Sequence, residues 1–195
     1  MEKLLFNFIV GIWLWLGICS LALAELAGRE SQNSQNLPFA VNNEEIAKAP
    51  LFALIKTTQG YFEIRFFKED APVHVLNFQY LAKQGFYDNL MFYRYFPGYL
   101  IQGGDPNNNG TGGTGYIIEP EFSSLKHKRG IVAMSRIRGS KNPGRESNGS
   151  QFYIALGNAP QLDGLYSIFA EVVNGLDVVE KLRVGDKILE IKLSQ

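Results

Sequence analysis

Few side chains in this sequence are equipped for covalent or metal chemistry. It has two histidines, His74 and His127, and one cysteine, Cys19. Neither histidine has a second ligand at metal-binding spacing, so no metal is expected. His74 reads as a partly exposed helix residue and His127 as a solvated residue of the basic run 126–129. A serine nucleophile would call for a G-x-S-x-G elbow, which is missing. Residues 110–115 spell G-x-G-x-x-G but open onto Tyr116-Ile117-Ile118-Glu119-Pro120. A phosphate cradle needs a helix N-terminus there, so the motif reads as a glycine-rich loop with positive-φ positions. Residues 105–110 copy the first half of a calcium loop, with Tyr116 where a bidentate glutamate is required. What is left is a set of residues that bind and orient. Arg94 stands among aromatics in F-Y-R-Y-F-P-G-Y-L-I-Q-G-G-D (92–105), followed by N-G-S-Q-F-Y-I (148–154) and Q-L-D-G-L-Y-S-I-F (161–169). Read blandly, Arg94 is a surface arginine paired with Asp88 or another acid, and Tyr99 and Tyr153 are core aromatics.

The elements that must position these groups are mostly strands. Phe62, Ile64 and Phe66 alternate with Glu63 and Arg65, the period of a half-buried strand. The run 51–57 precedes it, with a hairpin turn at Thr58-Gln59-Gly60. Asp70-Ala71-Pro72 has the form of a capped helix start, Val73, Leu76, Tyr80 and Leu81 follow at helical spacing, and Gly85 ends the helix. Short apolar runs come next at 100–101, 116–118, 131–134, 152–154 and 168–169. A second helix carries Leu176, Val179 and Leu182, and a last strand alternates Leu189, Ile191 and Leu193 with charges. Many short strands with two helices imply a mainly β fold, a closed or nearly closed antiparallel barrel with helices outside.

The chain has 195 residues, 19 basic and 19 acidic, so its formal net charge of zero argues against a nucleic-acid partner. Hydrophobic residues make up 46% and charged residues 19%, which supports a folded core. Residues 1–24 form an apolar leader closing on Ala22-Leu23-Ala24, the A-x-A pattern of a signal-peptidase site. The same run is long enough for an uncleaved membrane anchor. A third reading makes Cys19 a lipidation site, although bulky Ile18 precedes it. All three readings export the domain, to the periplasm or as a protein anchored facing it, with the membrane touched only through the leader. Residues 25–50 are polar and apolar-poor and read as a linker or tail, with a short docked helix around Glu44 to Lys48 as the alternative. The domain proper is expected over 51–195.

In this order, R-x-x-P-G-x-x-x-Q-G-G-D, G-T-G-G, N-G-S-Q-F and L-D-G resemble the cyclophilin family of peptidyl-prolyl cis-trans isomerases, over about residues 51–193. The resemblance implies an eight-stranded antiparallel closed barrel capped by two α-helices, acting without a cofactor. It implies that proline-containing peptides and unfolded exported proteins are the partners, and that the protein is a monomer. Arg94 and Gln102 are then the catalytic residues. Tyr99, Leu100, Tyr153 and Leu162 line the proline pocket, Gln151 orients Arg94 or the peptide, and Ser135 with Arg136 forms the strand edge along which the peptide lies. Gln161 and Tyr166 complete the substrate site. Several positions depart from the family. Phenylalanine is common where Tyr99 and Tyr153 stand, asparagine where Arg136 stands, tryptophan where Gln161 stands and histidine where Tyr166 stands. Gln161 lacks the indole N–H, so weak cyclosporin binding is expected. The connection between Met134 and Asn148 is longer than usual and carries Arg136, Arg138, Lys141 and Arg145. It reads as a solvated loop or as a basic rim favouring acidic residues beside the substrate proline. A proline-binding or chaperone module with little turnover stays open as the second function.

Overall fold

Branched and aromatic residues alternating with charged ones build the first hairpin, β1 (Phe52–Thr57) and β2 (Gly60–Phe66). Ala53, Ile55, Phe62, Ile64 and Phe66 face the core, while Leu54 and Tyr61 stay exposed. The Thr57 hydroxyl donates to the Gly60 carbonyl at 2.9 Å, and Gly60 takes φ +132°, a conformation that favours glycine. The computed structural model describes residues 37–137 and 140–195. The expected leader and Arg138 lie outside the described residues. The fold belongs to the compact unit Phe39–Gln195.

The remaining strands are β3 (Arg94–Phe96), β4 (Leu100–Gly103), β5 (Ile117–Ile118), β6 (Ile131–Met134), β7 (Ser147–Asn148), β8 (Phe152–Ala155), β9 (Ile168–Asn174) and β10 (Ile188–Ser194). Eight of them make one antiparallel sheet in the order β10-β1-β2-β9-β6-β8-β4-β3, and β5 pairs with β7 apart from it. The eight expected strands are there, but the barrel is not fully closed: the sheet is a curled half-barrel whose ends, β10 and β3, share no ladder. The chain before each end partly bridges the seam. Phe92 N–H donates to the Asp186 carbonyl, Ile188 N–H donates to the Leu90 carbonyl, and Met91 and Lys187 form one bridge.

Three α-helices stand among the described residues: α1 (Asn43–Lys48), α2 (Pro72–Lys83) and α3 (Leu176–Lys181). The polar stretch before residue 51 thus carries the short helix. Its Asn42 side chain caps Glu45 N–H at 2.9 Å, and Lys68 reaches back to the Ala47 and Ala49 carbonyls. The start of α2 differs from the expected Asp70 cap. Its N-cap is Ala71, with no side-chain cap bond, and the Glu121 carboxylate accepts from Val73 N–H at 3.0 Å and His74 N–H at 2.9 Å. A remote carboxylate does the work of a cap, satisfying two orphan amides at the positive end of the helix.

Strand alternation divides the interior in two. Ile101, Val132, Met134, Phe152 and Ile154 join the main core with Phe62, Phe78 and Phe169. Their neighbours Leu100, Ile131, Ala133, Tyr153 and Ala155 point the other way, into a second cluster with Leu162, Tyr166 and Ile168. A period of two residues therefore gives β4, β6 and β8 two apolar faces, and the second cluster lies beside the candidate site.

Candidate active site

Register places the site. Arg94 on β3 is opposite Gln102 on β4, Gln102 is opposite Tyr153 on β8, and Tyr153 is opposite Ala133 on β6. One cross-strand row thus carries a cation, an amide and an aromatic ring, and β4 and β8 turn Leu100 and Tyr153 into the second apolar cluster. Arg94 is exposed, its guanidinium carbon 4.6 Å from the centre of the Phe96 ring. Among the described residues no carboxylate pairs with it, Asp88 included. The ring beneath it restrains the guanidinium.

The amides beside it are buried and hydrogen-bonded to one another. Gln102 donates through Nε2 to Ser135 Oγ at 2.9 Å and to Gln151 Oε1 at 3.2 Å. Gln151 Oε1 also accepts from the Tyr93 hydroxyl at 2.6 Å, and its Nε2 donates to the Gly112 carbonyl at 2.7 Å. Burial and the nearby Asp105 carboxylate push the Tyr93 phenol well above its ordinary pKa, so it remains a donor. Gln151 therefore orients Gln102 and Tyr93; among the described residues it makes no hydrogen bond to Arg94. Behind this network, Asn148 Oδ1 accepts from Ser150 N–H and Gln151 N–H, each at 2.9 Å. Ser135 N–H donates to the Gln151 carbonyl at 2.8 Å. The calcium-like loop is tied to itself. The buried Asp105 carboxylate accepts from the backbone N–H groups of Asn107, Asn109 and Gly110. A Cβ at Gly112 would run into that carboxylate, which explains a glycine at this point of the loop.

The apolar side is Leu100, Tyr153, Leu162 and Tyr166, all nearly buried, with half-buried Tyr99 at the edge. Tyr166 meets Tyr153 edge-on, with ring centres 5.6 Å apart at 87°. Tyr99 makes a similar contact with Phe96 at 6.4 Å. Arg136 lies over Tyr166 with its guanidinium carbon 4.7 Å from the ring centre, and its Nε donates to the Leu165 carbonyl at 2.9 Å. Gln161 is exposed on the 3-10 turn Pro160–Leu162, one residue from buried Leu162. The structure thus brings ten of the eleven expected residues into one connected arrangement, with Gln161 at its rim.

Both histidines differ from their expected settings. His127 is 2% exposed: its Nδ1 lies 3.0 Å from Asp163 Oδ1 and its Nε2 2.9 Å from the Tyr153 hydroxyl. His74 is 0% exposed, with Nδ1 on Glu121 and Nε2 2.9 Å from Ser147 Oγ. His127 sits in a basic run with no apolar period, whereas His74 shares a helical face with Ala71, Phe78 and Leu81, a spacing that could have marked it as buried. Tyr93, Asn148 and Asp163 also went unassigned by sequence, although each adjoins or belongs to a motif that stood out.

A half-barrel of this order, with an exposed arginine in register with a buried glutamine beside an apolar cluster, defines a cyclophilin-type site. The family model for "Cyclophilin type peptidyl-prolyl cis-trans isomerase/CLD" matches residues 52–192. A peptidyl-prolyl cis-trans isomerase of Helicobacter pylori is 39% identical over 160 residues, covering 80% of this chain and 94% of the relative. One of Synechococcus elongatus is 41% identical over 143 residues, covering 72% and 94%. A Cryptosporidium parvum cyclophilin-type isomerase, crystallised in the presence of the dipeptide Ala-Pro, superposes with a TM-score of 0.67 at 31% identity, covering 74% of this chain and 99% of that one. The chain belongs to the cyclophilin family and is a peptidyl-prolyl cis-trans isomerase.

Proposed function

We propose that Arg94 lowers the rotation barrier of Xaa-Pro bonds by holding the twisted amide, without a covalent step. Resonance keeps the prolyl amide planar behind a barrier of ~18–20 kcal/mol, and unassisted exchange takes ~10–100 s. In the twisted state the nitrogen lone pair is no longer delocalised and can accept a hydrogen bond. An enzyme that binds this state better than either planar isomer accelerates the rotation, and removing ~4 kcal/mol gives about a thousandfold. The observation that carries this reading is the exposed Arg94, with which no carboxylate pairs among the described residues, in register with Gln102 and next to the apolar cluster. In this reading the proline ring packs on Tyr99, Leu100, Tyr153, Leu162 and Tyr166, and the guanidinium reaches the amide nitrogen. Gln102 meets the substrate backbone, and the chain runs along Ser135 and Arg136. The Ala-Pro dipeptide named for the Cryptosporidium parvum relative supports a ligand of this kind.

The clients we propose are proline-containing segments of exported proteins, a reading supported by the apolar leader at 1–24. The test of the mechanism is exchange NMR on an Ala-Pro peptide with the full chain in mild detergent, wild type against Arg94→Ala. The expected result is catalysed exchange that falls about a hundredfold in the variant, the scale of losing one preorganised donor to a developing charge. Exchange within twofold of wild type in Arg94→Ala overturns the arginine mechanism.

A further inference from the structure

We propose that Asp163 and His127 act through the Tyr153 hydroxyl as positioning residues for the proline-binding wall, so that peptide binding and protonation of His127 oppose one another. This rests on the reading that proline packs on Tyr153. Asp163 accepts both His127 N–H at 2.8 Å and the ring nitrogen Nδ1 at 3.0 Å. The backbone N–H bond, above all, holds the Asp163 carboxyl below its usual pKa, so it is an acceptor only. Nδ1 must then carry the proton, and the bare Nε2 accepts from the Tyr153 hydroxyl at 2.9 Å. The two rings are nearly parallel, 6.1 Å apart at 16°, and Tyr166 stands edge-on to both. The hydroxyl that sets the turn of the Tyr153 ring is thus anchored through one imidazole tautomer to a fixed carboxylate.

Protonation breaks that arrangement. A charged imidazole donates from both nitrogens, so the Tyr153 hydroxyl must turn its proton away from His127. The groups around the ring are Asp163, Lys126 at 3.5 Å from Asp163 Oδ2, Tyr153, and Tyr166 with Arg136 stacked on it. Burial holds the imidazole below its ordinary pKa, and Asp163 works in the opposite direction. A proline ring seated on Tyr153 removes further water and leaves a reoriented hydroxyl against an apolar ligand, which disfavours the charged form. By linkage the charged form then binds peptide more weakly.

The test follows the ring nitrogens of the full chain labelled with 15N-histidine, which gives two imidazoles to follow, with His127→Gln assigning the signals. The neutral state is expected to show Nδ1 protonated and Nε2 bare. Saturating Ala-Pro peptide is expected to lower the His127 titration midpoint by about 0.5 pH, equivalent to about threefold weaker binding to the charged form. In Tyr153→Phe, which keeps the ring, that displacement should shrink by more than half. The opposite tautomer overturns the proposal. So does an unmoved midpoint in the presence of a peptide whose exchange is catalysed, or an equal displacement in Tyr153→Phe. Peptide that neither shifts any resonance nor exchanges faster removes the proline-site reading instead, so the two failures are distinguishable.

Discussion

The two histidines occupy the same chemical setting in two parts of the molecule and do different work. Each is buried, with a carboxylate at Nδ1 and a hydroxyl at Nε2: Glu121 and Ser147 for His74, Asp163 and Tyr153 for His127. Around His74, Glu121 also takes the first amides of α2, and Ser147 belongs to β7, so the ring stitches a helix to the short sheet behind the polar network. Around His127, the hydroxyl belongs to a ring of the apolar cluster in register with Gln102. Imidazole chemistry alone does not separate a structural tie from a site-shaping one; the location of the hydroxyl it holds does.

The largest expected difference is in stability. His74→Ala strips a buried hydroxyl and a capping carboxylate of a partner and opens a cavity. We expect a loss of about 3 kcal/mol in urea unfolding, with KM for the peptide little changed at temperatures where the variant is folded. A loss under about 1 kcal/mol would deny His74 its role as a tie.

A smaller effect separates the two by pH. Because burial depresses the His127 pKa in the fold, neutral His127 contributes stability that is present above the ordinary value of about 6.5 and lost as pH falls toward the folded value. Asp163, also depressed, contributes stability that is lost at lower pH, as its own folded pKa is passed. Unfolding midpoints measured between pH 8 and 4 should therefore decline on acidification in the wild type, and the decline starting near neutrality should flatten in His127→Gln. An unchanged slope in that variant would shift the effect to other groups.

The smallest effect concerns the charge above the second cluster. Arg136, fixed on Tyr166, extends the His127 side to a surface cation that can favour a carboxylate beside the substrate proline. At low salt we expect Glu-Pro peptides to turn over about two- to threefold faster than Lys-Pro peptides. The preference should fade with salt and narrow in Arg136→Gln. Equal turnover at low salt would leave the basic loop as a solvated connection.

Much of the fold was legible where the signal is local. The alternation at Phe62, Ile64 and Phe66 marks β2, the spacing of Val179 and Leu182 marks the buried side of α3 and its C-cap, and Pro72 marks the start of α2. Most of the candidate site was legible because its residues fall in short motifs; β3, β4 and β8 bring the first two into register, while Ser135, Arg136 and the 161–169 segment come from elsewhere in the chain. Other features depend on partners far away in the chain. The cap of α2 comes from Glu121, the extended strand β3 exists by pairing with β4, and α1 carries no buried residue of its own to announce it.

The order of the motifs by itself pointed to the family and, through that resemblance, to a peptidyl-prolyl isomerase. Strand period determined which residues share a face, because successive side chains must point to opposite sides. Tertiary structure alone decided that the half-barrel stays open at one seam and that Gln151 serves Gln102 and Tyr93. It also decided that both histidines are buried between an acid and a hydroxyl. The physical reason is that burial and hydrogen-bond satisfaction are settled by what a remote strand or loop brings within reach. Among the described residues every buried side-chain polar atom has found such a partner.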